Sequence, residues 1–215
     1  MKPHHHPHDE LLMEYAAGAL DESHSLLVAT HLSFCPVCRE SVRRMEKCGG
    51  VLLEALDPAR MSAATKSALM DRLDDAVEPA PAARIGTTPF APLDAYLPGG
   101  LDSARWRRLG RSMRYAPLHS ARNGADAQLI HVKAGCRTIR HSHQGSEWTL
   151  VLTGAFEDGI GRYHAGDAIH ADGDIDHNPT ALPDSDCICL VVIDSPIRLT
   201  GPVGRLFNPL LAAGF

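Results

Sequence analysis

The sequence predicts an α + β protein of two domains, a small metal-stabilised helical bundle of about four helices followed by an antiparallel β-barrel. Three observations lead to this prediction. A His-Cys-Cys set with metal-ligand spacing lies within a helical hydrophobic pattern. Residues 79–92 are rich in proline and alanine, which is typical of a linker. Beyond them the pattern changes to that of short strands. We therefore expect domains at residues 1–78 and 93–215, joined by the linker 79–92.

The N-terminal part reads as a series of short helices. Residues 9–20 form the first pattern, Asp21 starts the second, and Pro36 fits the first turn of the third, where its missing N–H costs nothing. Residues 61–77 form a fourth pattern with an apolar stripe beside acidic residues. Two interpretations stay open for this stripe: it completes the small core, or it docks on a partner protein. The stripe comprises Leu69, Met70, Leu73, Ala76 and Val77.

A candidate metal site lies where the second predicted helix meets the third. His31 and Cys35 are four residues apart, so they share one helical face, and Cys38 follows three residues later. Such a set suits Zn²⁺, which prefers tetrahedral nitrogen and sulfur donors. The fourth ligand must come from elsewhere, and four histidines near the start are candidates: His4, His5, His6 and His8. The alternative is a buried histidine beside two reduced thiols. A redox dithiol is disfavoured because no βαβ pattern surrounds the motif.

The C-terminal part contains short strand-like segments separated by glycine turns. Many short strands at even spacing favour an antiparallel barrel or sandwich. The predicted segments are 106–109, 114–118, 127–132, 149–152, 168–171 and 187–193. In the last of these, Cys187 and Cys189 share one face of the strand. They are either small buried apolar residues or a redox-active pair.

A second candidate metal site lies in this part of the chain. His141 and His143 point to the same side of a strand, and Glu147 follows after a short bend. With Gly135 before and Gly154 after, these residues match every position of the first sequence motif of the cupins. The resemblance implies a cupin barrel.

The second cupin motif is matched only in part. Gly166 and His177 hold their places, whereas Asp172, Asp174 and Ala181 stand where proline, glycine and asparagine are usual. The ligand histidine is therefore kept. The resemblance implies one site inside the barrel, built from His141, His143, Glu147 and His177. Such a set accepts several divalent metals, and a cupin fold without metal is the alternative.

Charge distribution limits the classes of partner. Residues 1–78 contain 8 Lys/Arg and 13 Asp/Glu, and residues 79–215 contain 13 of each, so the net charge of −5 lies entirely in the first part. This disfavours direct nucleic-acid binding and suits a basic protein partner. No apolar run is long enough to span a bilayer, and no signal-peptide core is evident, so we expect a cytoplasmic protein without membrane contact.

Taken together, the two motifs in this order resemble the ChrR-type zinc-binding anti-sigma factors, over about residues 4–195. The resemblance implies a protein that binds an extracytoplasmic-function (group IV) sigma factor, with 1:1 stoichiometry, and releases it under oxidative stress such as singlet oxygen. It also implies two zinc ions. The first is held by His6, His31, Cys35 and Cys38, with His5 or His8 as substitutes for His6. The second is held by His141, His143, Glu147 and His177.

Two other function classes remain to be tested. A cupin-type metalloenzyme, a dioxygenase or isomerase with an accessory zinc domain, requires an open coordination position and a substrate pocket. A zinc-dependent DNA-binding repressor requires salt-dependent DNA affinity, which the acidic N-terminal part disfavours. We expect an anti-sigma factor that is not an enzyme. The sensing step stays open between oxidation of Cys187 or Cys189, attack on the cupin-site histidines, and metal loss.

Overall fold

The computed structural model describes residues 2–73, 90–119, 124–173, 175–201 and 208. Its N-terminal part is helical. Within the described ranges, four α-helices are present: α1 (Asp9–Ala16), α2 (Glu22–Phe34), α3 (Pro36–Glu54) and α4 (Ala63–Leu73). Two short 3₁₀ helices, Ala91–Leu93 and Leu101–Ser103, lead into the strands.

Local chemistry explains the helix boundaries. The Asp21 carboxylate accepts a hydrogen bond from the backbone N–H of His24 and caps α2. Cys35 ends α2 and caps α3, its sulfur accepting from the backbone N–H of Cys38. Pro36 occupies the first turn of α3, as predicted. The predicted first helix ends early because Gly18 adopts a φ of 67°.

The described C-terminal part contains antiparallel strands in three sheets, which confirms the predicted fold class. One sheet has six strands in the order β1-β2-β3-β11-β5-β8, and two smaller sheets have the orders β10-β6-β7 and β12-β4-β9. The strands are β1 (Arg107–Leu109), β2 (Met113–His119), β3 (Asp126–Val132), β4 (His141–Ser142), β5 (Glu147–Thr153), β6 (Ala155–Glu157), β7 (Arg162–His164), β8 (Ala168–Ala171), β9 (Asp176–His177), β10 (Thr180–Ala181), β11 (Cys187–Ile193) and β12 (Arg198–Leu199).

The central strands of the six-stranded sheet are covered on both faces. Alternate residues of β5 and β11, including Leu150 and Val192, share one hydrophobic core with buried α2 residues such as Leu27. The intervening residues, including Val151 and Val191, belong to a second core in the barrel interior. Because side chains alternate along a strand, one sheet joins the helices on one face to the barrel interior on the other. The helical part therefore packs directly on the barrel.

The end of α3 and the whole of α4 lie outside both cores. Every residue from 46 to 73 is exposed. The interpretation in which the fourth helix completes the small core is therefore wrong for its described residues, because Leu69, Met70 and Leu73 face solvent. Ala76 and Val77 lie outside the described residues.

The predicted domain boundaries stay a prediction. Of the linker 79–92, only residues 90–92 belong to the described ranges. Among the described helices, none is long and apolar enough to cross a membrane.

Candidate metal centres

The first cluster lies where α2 meets α3, against the segment that precedes α1. His31 comes from the last turn of α2, Cys35 from the junction and Cys38 from the first turn of α3. His6 approaches from the N-terminal segment. One ligand atom from each of these four residues lies within 4.8 Å of all the others. This cluster is called the helical cluster below.

The spacing of the donors in the helical cluster fits a tetrahedral ion. The Nδ1 atom of His6 lies 3.4 Å from the Cys35 sulfur and 3.3 Å from the Cys38 sulfur. Zinc bonds of about 2.3 Å to sulfur and about 2.0 Å to nitrogen place such atoms about 3.5 Å apart. The observed separations are close to this value, so the residues present can hold the ion.

One buried nitrogen in the helical cluster is left without a hydrogen-bond partner. The His31 Nδ1–H donates to the backbone carbonyl of Gly166 at 2.8 Å, and the Nε2 atom has no partner within the described structure. Burial lowers the pKa of His31 to about 4, so the ring is neutral with a free lone pair. Burial, with the neighbouring Cys35, raises the pKa of Cys38 to about 12. A bound cation would satisfy the Nε2 atom and stabilise the thiolate.

The two histidines named as substitutes for His6 have other contacts. The His5 ring lies 4.8 Å from the Tyr163 ring, and its Nδ1 is 3.6 Å from an Asp167 oxygen. The His8 ring lies 4.6 Å from the Trp148 ring. The structure therefore brings His6, rather than His5 or His8, into the helical cluster.

The second cluster, called the barrel cluster below, forms where β4, β5 and β9 meet. His141 on β4 is paired directly with His177 on β9, and His143 follows β4. Glu147 is the first residue of β5. One ligand atom from each residue lies within 4.8 Å of the others. His177 reaches the cluster despite the departures in the second cupin motif, of which Asp174 lies outside the described residues.

In the barrel cluster, the Nε2 atoms of three histidine rings lie close together. The Nε2 atom of His177 lies 3.2 Å from that of His143 and 3.3 Å from that of His141. Two nitrogens bound to one tetrahedral zinc ion are about 3.3 Å apart. The Nδ1–H of His141 donates to the carbonyl of Ile139 at 2.7 Å, which leaves its Nε2 for a ligand bond.

Burial shifts the pKa values of several residues in the barrel cluster. It raises the pKa of Glu147 and lowers the pKa of His177. Burial also lowers the pKa of His143 to about 4, with the neighbouring His141 and His177 adding to the shift. Burial thus favours the uncharged forms of Glu147, His143 and His177, and a divalent cation would stabilise the ionised carboxylate. The residues present fit a metal ion here as well.

Sequence reasoning missed two buried aspartates beside the clusters. The Asp158 side chain is 3% exposed and lies 3.3 Å from Nδ1 of His177. Asp167 is 1% exposed and contacts the N-terminal segment. Burial opposes its ionisation, but hydrogen bonds from the backbone N–H groups of His164, His5 and His4 lower the pKa of Asp167 overall. In the sequence, Asp158 precedes a glycine and indicates only a turn. No motif in the sequence indicates that Asp167 contacts residues 4 and 5.

The barrel interior encloses a cavity of about 880 Å³ beside the barrel cluster. Its walls are mostly apolar, as Ile130 and Val191 illustrate, and His141, Glu147 and His177 lie among its lining residues. Cys187 and Cys189 also line it, with their sulfurs 3.7 Å apart. Their mutual contact and burial raise the pKa of Cys189 well above its ordinary range, so it is a protonated thiol.

Both halves of the chain are similar to known protein families. A zinc-finger family model matches residues 8–39, and the model of the ChrR cupin-like domain matches residues 99–195. The anti-sigma-E factor ChrR of Cereibacter sphaeroides is 41% identical over 206 residues, covering 95% of this chain and 96% of that protein. The crystal structure of Rhodobacter sphaeroides SigE in complex with the anti-sigma ChrR matches with a TM-score of 0.75 and 40% identity, covering 88% of this chain and 98% of that one. The chain therefore belongs to the ChrR family of anti-sigma factors.

Proposed function

We propose that this protein binds an extracytoplasmic-function (group IV) sigma factor and holds it inactive, with 1:1 stoichiometry. The observation that carries the proposal is an exposed apolar segment in an otherwise well-packed chain. Of the 13 large apolar residues that the described structure leaves exposed, eight lie between residues 51 and 73: Val51, Leu52, Leu53, Leu56, Met61, Leu69, Met70 and Leu73. We call residues 51–73 the docking segment.

The docking segment has the properties of a protein interface. Exposed apolar side chains on preformed helices can be buried in a partner without a large cost in backbone ordering. The acidic charge of residues 1–78 complements the basic surfaces that a DNA-binding sigma factor presents. Covering those surfaces would block engagement of RNA polymerase and promoter DNA. Because the partner acts on RNA polymerase, this function implies a cytoplasmic location.

The helical and barrel clusters are proposed zinc sites. His6, His31, Cys35 and Cys38 would hold one ion, and His141, His143, Glu147 and His177 the other. In the helical cluster the ion would supply folding energy, because it ties the N-terminal segment to the junction of α2 and α3. These residues thereby fix the start of α3, the helix that leads into the docking segment.

Release of the sigma factor under oxidative stress, such as singlet oxygen, is proposed to depend on the barrel. Support comes from the shared sheet: the barrel cluster lies on one side of β5, and the helices pack on the other side. A chemical change at the barrel cluster, or at the sulfurs of Cys187 and Cys189, would thus be separated from the helices only by the sheet itself. A displaced strand would disturb their packing.

The cavity of about 880 Å³ favours a second candidate function, that of a cupin-type dioxygenase or isomerase. We propose that the protein is not an enzyme, because four protein ligands complete a tetrahedral zinc site and leave no open position. The anti-sigma factor and the enzyme differ in the metal that they are expected to bind and in whether they turn over a substrate. Iron in the purified protein, with consumption of oxygen and a small oxidisable substrate, would support the enzyme.

The proposed function is tested by co-expression with the sigma factor encoded in the same organism. We expect a 1:1 complex with two zinc ions per chain of this protein, and loss of sigma-dependent transcription in vitro. A chain that purifies alone and leaves transcription unchanged at equimolar and tenfold excess would contradict the proposal. Direct DNA binding that weakens with salt would instead support the repressor class.

A further inference from the structure

The turn between β7 and β8 contacts the N-terminal segment through a buried carboxylate. One Asp167 oxygen, Oδ1, accepts hydrogen bonds from the backbone N–H groups of His4 at 2.6 Å and His5 at 3.0 Å. The other oxygen, Oδ2, accepts from the backbone N–H of His164 at 2.8 Å. Asp167 is 1% exposed, so these bonds are shielded from water. Charge-assisted bonds to a buried carboxylate are among the stronger hydrogen bonds in proteins.

The residues on either side of Asp167 contact the same region. The Gly166 carbonyl accepts the Nδ1–H of His31 at 2.8 Å, and the Ala168 N–H donates to the His5 carbonyl at 3.1 Å. Gly166 has a φ of 95°, and a Cβ there would lie 2.8 Å from Pro3 and 3.0 Å from Phe34. The approach of the two chain segments thus requires glycine at this position.

These contacts involve one residue of the helical cluster, His31, and the two residues that precede another, His6. The turn fixes residues 4 and 5, directly before His6, and orients the His31 ring so that its unpartnered Nε2 faces the cluster. We propose that the β7–β8 turn is the outer shell of the helical metal site, with Asp167 as a positioning residue, so that the barrel controls how tightly that site holds its metal. This inference rests on the proposed zinc site of the helical cluster.

The same turn is tied to the barrel cluster through β8. Asp167 directly precedes this strand, and β8 pairs with β5 in a register that places Ala171 opposite Glu147. Val151 of β5 exchanges backbone hydrogen bonds with Gly166 and Asp167. The outer shell of one metal site and a ligand of the other are thus held by two adjacent, directly bonded strands.

Cobalt(II) provides a probe that separates the two sites. Of the two clusters, only the helical one contains thiols, and a thiolate-to-cobalt charge-transfer band that Cys38→Ser removes identifies it. We would titrate the metal-free full-length protein with Co²⁺, and then displace the Co²⁺ with Zn²⁺. Asp167→Asn keeps the size of the side chain but turns an NH₂ group toward backbone donors. Loss of an outer-shell partner costs roughly 10- to 100-fold in metal affinity, and we expect a loss of this size in the thiolate band titration.

Asp186→Asn is the matched control. Asp186 is also a barrel carboxylate that accepts from one backbone N–H, that of Ala134 at 2.9 Å, and contacts a histidine, His131, at 2.8 Å. It touches neither cluster, so the affinity of the thiolate site should be unchanged. His5→Pro is the second variant: it removes the backbone donor of His5 to Asp167, together with the His5 ring that lies against Tyr163, and leaves every barrel residue in place. We expect roughly a tenfold loss of affinity from it.

The outcomes are distinct. If Asp167→Asn and His5→Pro bind Co²⁺ at the thiolate site as tightly as the parent, the inference is overturned and the proposed function stands. If Asp167→Asn unfolds the barrel, as judged by thermal melting, His5→Pro alone decides. If the parent protein gives no thiolate band, the zinc site itself is wrong and the inference falls with it.

Discussion

Two leucines of the docking segment provide the sharpest test of how the protein binds its partner. Leu53 on α3 is 70% exposed and Leu69 on α4 is 53% exposed. In the free protein, replacing exposed side chains by alanine changes the free energy of unfolding by no more than about 0.5 kcal/mol each. The double variant Leu53→Ala, Leu69→Ala should therefore fold and melt like the parent.

The effect on binding is expected to be much larger. Each substitution removes three carbon atoms, worth about 0.8 kcal/mol apiece when buried. We scale this burial free energy by the exposed fraction of each leucine, because only the exposed part can become buried in the complex. The double variant should then lose about 3 kcal/mol of binding free energy, or roughly 100-fold in affinity. Titration calorimetry of the full-length protein with its sigma factor measures this change.

The matched control is Ile160→Ala, because Ile160 is an equally exposed aliphatic residue, at 66%, on the barrel. It should leave the affinity unchanged. Binding of the double variant within threefold of the parent, with unaltered melting, would refute the reasoning, since the docking segment would then contribute nothing to the interface. An equal loss from Ile160→Ala would instead point to a contact surface on the barrel.

Three further predictions concern the clusters. Cys38→Ser should abolish zinc at the helical cluster and lower the free energy of unfolding by at least about 3 kcal/mol, whereas the exposed Cys48→Ser should do neither; metal analysis and denaturant unfolding check both. Asp158→Asn should weaken metal binding at the barrel cluster roughly tenfold or more and spare the thiolate site in a Co²⁺ titration, and the reverse pattern would contradict the role inferred from its contact with His177. In metal-free protein, His31 has a folded pKa of about 4 against an ordinary 6.5, so the unfolded chain binds more protons in this window. The free energy of unfolding should therefore fall by up to about 3 kcal/mol as the pH drops from about 6.5 to about 4. His31→Gln should make the free energy of unfolding less dependent on pH in this range.

Hydrophobic periodicity and turn chemistry predicted the longer elements. The segments 168–171 and 187–193 were predicted with the bounds that β8 and β11 have in the structure. Gly135, Gly154 and Gly166, which were predicted from the cupin motifs or as turns, all have positive φ. The shortest strands, such as β4 and β9, have only two residues, and two residues carry no periodicity.

The packing of the helices on the barrel was not predicted. The linker composition and the charge split suggested two separate bodies, yet one hydrophobic core spans both parts. A signal was present in β11, where Cys187–Ile193 is an unbroken apolar run rather than an alternating one. Such a run indicates a strand that is buried on both faces. On its outer face, Leu190 and Val192 share a core with residues of α2 and with Leu93 and Leu97.

Spacing within the sequence predicted the ligands that lie close together in the chain, and the family resemblance supplied the distant ones, His6 and His177. Motif spacing and the family resemblance named all eight residues that the structure gathers in the two clusters. Asp167 was missed because its partners His4 and His5 lie more than 160 residues away, and short spacing carries no information over that distance. Asp158, which follows β6, reaches His177 on β9, 19 residues away, and no motif spacing links the two.

Strand β5 gives a physical reason for combining an inhibitory helical part with a barrel. Its odd-numbered residues, beginning with Glu147, face the barrel cluster and cavity, and its even-numbered residues, from Trp148 to Leu152, pack toward the helices. Protein cores are close-packed, so a strand cannot shift on one face and stay fixed on the other. A change at Glu147 would therefore act on the helical core through the adjacent Trp148, without a flexible intermediary.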